Sequence, residues 1–174
     1  MNDIIKNVDI ALLTPFEDHP FKLRDGEELE ELMVSIKKNK IIEPLIVRPF
    51  SSAGKYEVIS GHRRLDALKR LGIKEAPVII KDLSDEEAIM MMVDSNLKRE
   101  NILPSEKAFA YKMKLDVLKR QGARTDLTSA QVGPKLTAAE KIAENSPDSK
   151  SQIKRFIRLT ELIPELMDMV DEKK

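Results

Sequence analysis

The sequence has 174 residues and no cysteine, which excludes disulfide frameworks, thiolate-held metal clusters and cysteine nucleophiles. Its two histidines, His19 and His62, are too few for a metal site built from several imidazoles. Tryptophan is absent and aromatic residues make up 4% of the chain, so aliphatic side chains must form the core and aromatic platforms for stacking bases are not expected. Lys plus Arg and Asp plus Glu each number 30, so any basic surface must be local.

Long apolar segments are also missing. No run approaches the roughly 18 apolar residues that cross a bilayer, and the sequence does not begin with a basic stretch followed by an apolar one. We therefore expect no membrane partner and a cytoplasmic location. Apolar residues make up 41% of the chain, which is enough for a packed core, and the length allows one domain or two small ones.

The first half of the chain alternates between strand-like and helix-like patterns. Runs of β-branched residues between turn signals indicate strands, and apolar residues at helical spacing indicate helices. These patterns predict strands at Val8–Leu13, Pro44–Phe50, Tyr56–Ser60 and Ala76–Lys81, and helices at Glu27–Lys40, from Gly61 to Gly72 and from Ser84 to about Lys98. Residues 51–54 are small and flexible, so the second and third strands should pair as an antiparallel hairpin.

The second half of the chain shows helical patterns only. They predict helices at Ser105–Gln121, Ala138–Glu144, Asp148–Leu162 and Pro164–Val170. Gly122–Lys135 contains two glycines and a proline without a regular apolar period, which predicts a loop. The order of elements therefore predicts an α+β domain followed by an all-α domain.

A glycine joins a predicted strand to the helix that carries Arg63 and Arg64. A helix N-terminus presents unpaired N–H groups and a partial positive charge, and Gly61 allows a ligand to approach them closely. Two arginines in the first turn oppose the helix dipole, which suggests an anionic ligand such as a phosphate. The alternative is that both arginines are solvated or pair with carboxylates such as those of Glu57 and Asp66.

Residues 94–101 place polar side chains at the end of the next helix. The amide of Asn96 can coordinate Mg²⁺ or fix a nucleotide, and Arg99 can reach a phosphate. The alternative is an ordinary helix C-terminus, where Lys98 and Arg99 interact favourably with the negative end of the dipole.

Residues 138–159 have the pattern of two helices joined by a short turn, as in a helix-turn-helix. Apolar residues such as Ile142, Ile153 and Ile157 would pack the two helices together. The other face of the second helix carries side chains of the types that contact phosphates and base edges. The candidate DNA contacts are Ser149, Lys150, Ser151, Gln152, Lys154, Arg155 and Arg158. The alternative is an amphipathic helix with a solvated basic face.

Three segments together resemble the N-terminal domain of the ParB partition proteins, in the wider ParB/sulfiredoxin superfamily. Residues 42–48 resemble the first family box, Ser60–Ala67 the Gly-x-Arg-Arg box, and residues 95–100 the Glu-Asn-Leu-Gln-Arg box. The resemblance implies a small mixed β-sheet that binds cytidine triphosphate (CTP) and Mg²⁺, with Asn96 as the metal ligand. The nucleotide-binding residues that it implies are Glu43, Pro44, Arg48, Gly61, His62, Arg63, Arg64, Asn96 and Arg99.

The sequence departs from the family pattern at two positions. His62 and Ser95 stand where the family boxes carry glutamates that support the metal in nucleotide-hydrolysing members. The resemblance therefore implies at most slow CTP hydrolysis. Sulfiredoxin chemistry is excluded, because Gly61 stands in place of the cysteine that it needs.

Residues 142–164 resemble the ParB helix-turn-helix, with Pro147 in place of the usual turn glycine. The resemblance implies a nucleotide-binding domain at residues 1–103 and a helical DNA-binding domain at 104–174, with the helix-turn-helix at about 138–159. It also implies a CTP-regulated, nucleoid-associated homodimer that binds double-stranded DNA and a ParA-type ATPase and segregates a chromosome, plasmid or integrated element. Family members continue into a dimerisation domain, so we expect the sequence to be part of a longer chain.

Two other functions stay open from the sequence. A transcriptional or nucleoid-occlusion-type regulator would use the same helix-turn-helix without a nucleotide switch. A nuclease or phosphotransferase of the superfamily would use His62 and Glu43 as general acid or base beside a bound phosphate.

Overall fold

The computed structural model describes residues 4–17, 19–21, 25–50, 54–99, 101–126 and 136–172. The chain divides into two compact units, Met1–Met92 and Val93–Lys174; the domain boundary predicted at residue 103 stays a prediction. The strands are β1 (Ile5–Asp9), β2 (Leu13–Pro15), β3 (Leu45–Phe50), β4 (Lys55–Ser60) and β5 (Glu75–Ile80). The helices are α1 (Glu27–Asn39), α2 (His62–Arg70), α3 (Asp85–Leu97), α4 (Pro104–Asp126), α5 (Ala138–Glu144), α6 (Lys150–Leu159) and α7 (Pro164–Asp171). None of the helices in these ranges combines the length and apolar content that crossing a bilayer requires.

The first unit is built on a five-stranded mixed sheet with the order β1-β5-β3-β4-β2. β1 pairs antiparallel with β5, and β3 with β4, whereas β3 is parallel to β5 and β2 is parallel to β4. The antiparallel pairing of β3 with β4 confirms the predicted hairpin, although residues 51–53 of its connector lie outside the described residues. The predicted mixed-sheet α+β fold of the first half is confirmed.

The single strand predicted at Val8–Leu13 is wrong. β1 ends at Asp9, whose carboxylate accepts a hydrogen bond from the backbone N–H of Ala11 at 2.8 Å and begins a short 3-10 turn at Ile10–Leu12. The turn separates β1, at one edge of the sheet, from β2, at the other edge. Because the residues of the turn are apolar, the sequence pattern continues through a break that only the hydrogen bonding reveals.

Aliphatic side chains fill the core of the first unit, as the scarcity of aromatic residues requires. The strands contribute Leu13, Leu45, Val47, Val58, Ala76 and Val78, and α1 and α2 contribute Leu29, Ile36, Leu65, Ala67 and Leu68. Both β4 and α2 are anchored in this core. The residue that joins them, Gly61, is therefore held between two fixed elements.

Only helices occur among the described residues that follow α3. α4 continues through Gly122 to Asp126, so the loop predicted from Gly122 is wrong over its first five residues, while 127–135 lie outside the described residues. A glycine inside a helix costs only about 1 kcal/mol relative to alanine, which a long helix tolerates. In the second unit, Tyr111 of α4, Ile142 of α5 and Ile153 of α6 form a buried apolar cluster.

Candidate functional site

The turn between β4 and α2 begins a helix that no side chain caps. Gly61 occupies the N-cap position with φ 106° and ψ 23°, a left-handed conformation that favours glycine. A Cβ added here would lie 3.0 Å from the Cγ of the buried Leu45. The sequence motif therefore folds as predicted, with glycine required both by the backbone conformation and by close packing on β3.

Gly61→Ala should lower the free energy of unfolding by about 2 to 3 kcal/mol, since it adds left-handed backbone strain to the steric overlap with Leu45. Gly72→Ala is the matched control, because Gly72 has φ +67° at the other end of α2 with nothing within 4 Å of an added Cβ. We expect about 1 kcal/mol there, from the backbone alone. Urea denaturation measures both variants, and equal losses would contradict the packing contribution at Gly61.

Arg64 connects the first turn of α2 to the segment that precedes β3. Its Nη1 donates to the carbonyl oxygens of Glu43 and of Pro44, the latter at 3.0 Å, and its Nη2 lies 3.1 Å from a carboxylate oxygen of Glu43. Burial lowers the pKa of Arg64, although the carboxylate of Glu43 partly compensates. The structure therefore brings together three of the predicted nucleotide-binding residues, Glu43, Pro44 and Arg64.

Arg63 and His62 point to different surroundings. Arg63 pairs with Glu28 of α1 at 3.0 Å, at the protein surface. His62 is buried, its Nε2 accepts a hydrogen bond from the backbone N–H of Phe16 at 3.3 Å, and its ring centroid lies 3.9 Å from that of His19. This packing engages one of the two imidazole nitrogens that could serve as a general base, and a catalytic role for His62 stays a prediction.

Arg48 lies inside the first unit and bridges β3, β4 and the start of α3. Its guanidinium is 2.6 Å from the carboxylate of the buried Glu57 and 2.7 Å from that of Asp85. Burial acts to lower the pKa of Arg48, but hydrogen bonds and charge from Asp85 and Glu57 outweigh it and raise the pKa. Arg48 thus has an evident structural role, and its role in nucleotide binding stays a prediction.

The segment at the end of α3 belongs to the second unit. Asn96 is buried, whereas Ser95 and Arg99 are exposed. Asp94, the carboxylate nearest to the predicted metal ligand in sequence, lies 2.5 Å from the Nζ of the buried Lys114. The placement of Asn96 and Arg99 beside the Gly61 turn stays a prediction.

Binding of Mg²⁺ at Asn96 stays a prediction. Mg²⁺ is commonly bound through one or two carboxylates together with substrate phosphates. Among the residues that the structure describes, no three His, Asp or Glu side chains are arranged to hold a metal ion. The carboxylate nearest to Asn96 in sequence, that of Asp94, is paired with Lys114.

The helices α5 and α6 both begin with a complete capping box. Thr137 and Glu140 exchange hydrogen bonds at the start of α5, and Ser149 and Gln152 do so at the start of α6. Two of the predicted DNA contacts, Ser149 and Gln152, therefore stabilise the N-terminus of α6. The spacing of these pairs is a sequence signal for helix starts that the motif analysis did not use.

The outer face of α6 carries exposed polar and basic side chains, whereas Ile153 is buried on its inner face. The exposed predicted contacts are Ser149, Ser151, Gln152, Lys154, Arg155 and Arg158. Lys154, Arg155 and Arg158 form no salt bridge with any residue in the described ranges. This face is the local basic surface that a neutral chain requires for binding a polyanion.

Lys150, the first residue of α6, differs from these three cations. Its Nζ donates to the Oε1 of Glu140 at 2.6 Å. The Lys150 ammonium, followed by the hydrogen bonds from Thr137, lowers the pKa of Glu140 to about 2. The sequence analysis did not single out Glu140.

A partly buried network attaches the turn between α5 and α6 to α4. The hydroxyl of Tyr111 donates to the carboxylate of Asp148 at 2.6 Å and is hydrogen-bonded to the hydroxyl of Ser146 at 2.6 Å. The Nζ of Lys107 lies 3.1 Å from the same carboxylate. Burial, together with Asp148, raises the pKa of the Tyr111 hydroxyl well above its usual range. This network positions the start of α6, and no sequence motif indicated it.

Tyr111→Phe should lower the free energy of unfolding by about 1.5 kcal/mol, because it removes a partly buried hydrogen bond to a carboxylate. Tyr56→Phe, at the other tyrosine of the chain, is the matched control and should change stability by less than about 0.5 kcal/mol. Thermal or urea unfolding checks both. Equal effects of the two substitutions would show that the network contributes nothing.

Residues 1–97 match the family model of the ParB N-terminal domain. A probable chromosome-partitioning protein ParB from Coxiella burnetii is 31% identical over 168 residues, which covers 97% of this chain and 51% of the relative. A nucleoid occlusion protein from a Geobacillus species is 36% identical over 113 residues, covering 65% of this chain and 40% of the relative. The chain thus spans about half the length of these curated relatives.

Solved structures of the C-terminally truncated chromosome-partitioning protein ParB from Caulobacter crescentus are also similar. The structure complexed with CTP-gamma-S has 25% identity and a TM-score of 0.51, covering 95% of this chain and 83% of that chain. The structure complexed to the centromeric parS site has 25% identity and a TM-score of 0.61, covering 94% and 76%. Since the ParB N-terminal domain model accounts for more than half of the chain, the protein belongs to the ParB family.

Proposed function

We propose that this protein binds double-stranded DNA through α6 and acts in chromosome or plasmid partition under the control of CTP. The observation that carries the proposal is the outer face of α6, where Lys154, Arg155 and Arg158 form no salt bridge with any described residue. The opposite face holds α6 against α4 and α5 through Ile153. A helix fixed in this way presents its cations to the DNA backbone and its polar side chains to base edges.

The nucleotide part of the proposal rests on the turn at Gly61. The uncapped N-terminus of α2 offers backbone N–H groups to a phosphate, and Arg63 and Arg64 lie in its first turn. Their carboxylate partners, Glu28 and Glu43, have side chains that are 67% and 80% exposed. Because exposed ion pairs are worth about 0 to 1 kcal/mol, a triphosphate can replace them. The relative from Caulobacter crescentus complexed with CTP-gamma-S supports CTP as the nucleotide.

Binding of labelled CTP, ATP, GTP and UTP, each with Mg²⁺, tests this part. We expect CTP to bind selectively and Arg64→Ala to weaken it by about 1.5 to 3 kcal/mol, which is roughly 10- to 150-fold. Arg70→Ala is the matched control, because Arg70 lies at the other end of α2 and pairs at the surface with Asp25 and Asp66. Absence of nucleotide binding, or equal losses in both variants, would contradict the proposed phosphate site.

The proposed role in partition also requires that the protein bind its palindromic DNA site as a homodimer, and that a ParA-type ATPase act as its partner. The second candidate function is a nucleoid-occlusion-type regulator, which the similarity to the Geobacillus nucleoid occlusion protein favours. DNase footprinting with and without CTP separates the two. Protection that spreads from the site only when CTP is present supports partition. A single operator-sized footprint that does not change when CTP is added supports the regulator.

A further inference from the structure

The cations of α6 are not equivalent, although the sequence groups them together. Lys154, Arg155 and Arg158 are exposed without a salt bridge to any residue that the structure describes. Lys150 is instead engaged by Glu140 at 2.6 Å, with side-chain exposures of 40% and 33%. Whether Lys150 is available to an anion therefore depends on the strength of this one pair.

The carboxylate of Glu140 is held in place by the capping box, independently of Lys150. Its Oε2 accepts hydrogen bonds from the backbone N–H and the hydroxyl of Thr137 at 2.6 and 2.7 Å, while its Oε1 accepts from Lys150. An exposed ion pair is usually weak because two long side chains must be ordered. Here the capping box has already ordered one of the two side chains.

The position of Lys150 gives Glu140 a second effect. Lys150 is the first residue of α6, where a cation opposes the positive end of the helix dipole. The negative charge of Glu140 offsets this opposition and also repels a phosphate that approaches the same point. The pKa of Glu140, lowered to about 2 by Lys150 and Thr137, keeps the carboxylate ionised at neutral pH.

We propose that Glu140 withholds Lys150 from the DNA backbone and so sets the strength of phosphate binding by α6. This inference rests on the proposed DNA-binding function. Glu140 is a positioning residue, because it acts through Lys150 and does not itself contact DNA. Removing its charge releases Lys150 as one additional phosphate contact.

Glu140→Gln is the informative variant, since glutamine also serves in a capping box and keeps the start of α5 intact. Binding to a mixed-sequence DNA duplex is measured by fluorescence anisotropy between about 50 and 200 mM salt. One extra phosphate contact should steepen the slope of log K against log salt by about 0.9 and tighten binding about 5- to 10-fold near 0.1 M salt. Glu140→Gln/Lys150→Ala should lose this gain.

Glu144→Gln is the matched control, since it removes the same charge from the same helix at a residue that forms no salt bridge within the described ranges. It should leave the salt slope at the wild-type value. A Glu140→Gln variant with wild-type affinity and slope would overturn the inference, and so would an equal gain from Glu144→Gln. If Lys154→Ala weakens binding while Glu140→Gln does nothing, only this inference fails. If no variant binds any duplex, the proposed DNA-binding function fails with it.

Discussion

Glu57→Gln should lower the free energy of unfolding by about 3 to 5 kcal/mol, a large effect for a substitution that changes a single charge. The side chains of Glu57 and Arg48 are 5% and 10% exposed, so neither charge is well hydrated by water. The substitution removes the buried negative charge and leaves the guanidinium without its inner counter-charge. The loss reflects the penalty for a buried charge that only the exposed Asp85 still neutralises, more than the attraction between Arg48 and Glu57.

Asp85→Asn provides the matched control on the same arginine. Asp85 lies 2.7 Å from Arg48, as close as a strong ion pair, yet its side chain is 86% exposed. Because surface ion pairs are worth about 0 to 1 kcal/mol, Asp85→Asn should be nearly neutral. Urea denaturation of both variants compares a buried and an exposed carboxylate paired with the same guanidinium. Equal losses would contradict the idea that burial decides how much each carboxylate stabilises the fold.

The comparison also bears on the predicted nucleotide role of Arg48. If Arg48 is structural, Glu57→Gln should alter stability and leave the affinity of the folded protein for CTP close to that of the wild type. If Arg48 contacts the nucleotide, releasing its guanidinium from Glu57 should change the affinity for CTP. Titration of CTP under conditions where the variant is folded separates these outcomes.

Lys154→Ala/Arg155→Ala should weaken DNA binding by about 100-fold or more. Each charge-assisted contact to a phosphate is worth about 1.5 to 3 kcal/mol, so two contacts amount to about 3 to 6 kcal/mol. The slope of log K against log salt should become shallower by about 1.8, because two fewer counterions are released. Fluorescence anisotropy over a salt series measures both quantities.

Lys119→Ala/Arg120→Ala is the control for net charge in the same unit. Both residues are exposed on α4, and the double substitution removes the same two positive charges. We expect less than a 3-fold change, since neither residue lies on α6 and exposed charges that make no direct contact are weakened by screening near 0.1 M salt. A comparable loss in both double variants would show that overall charge, rather than the face of α6, governs binding.

The strongest sequence predictions were those that depend on local periodicity and short motifs. Helices α1 and α5 begin at the predicted residues, and the β3–β4 hairpin pairs as predicted. Periodicity failed where apolar residues continue through a turn, at Ile10–Leu12, and where a glycine lies inside a helix, at Gly122. In both places hydrogen bonding of the backbone, rather than side-chain type, decides the element.

The Gly61 turn and the helix-turn-helix pattern were visible in the sequence, but the partners of their charges were not. Arg63 and Arg64 pair with Glu28 and Glu43, from other segments, instead of the Glu57 and Asp66 suggested by proximity in sequence.

The sequence by itself determined the order of most elements, the need for an aliphatic core and the position of the glycine between β4 and α2. These properties depend on neighbouring residues, whose spacing fixes which side chains share a face. Only the tertiary structure decided which cations are neutralised inside the protein and which stay available to an anion. Arg48 forms an ion pair with Glu57, and Lys150 with Glu140. The energy of a charge depends on burial and on distances across the fold, which sequence spacing does not specify.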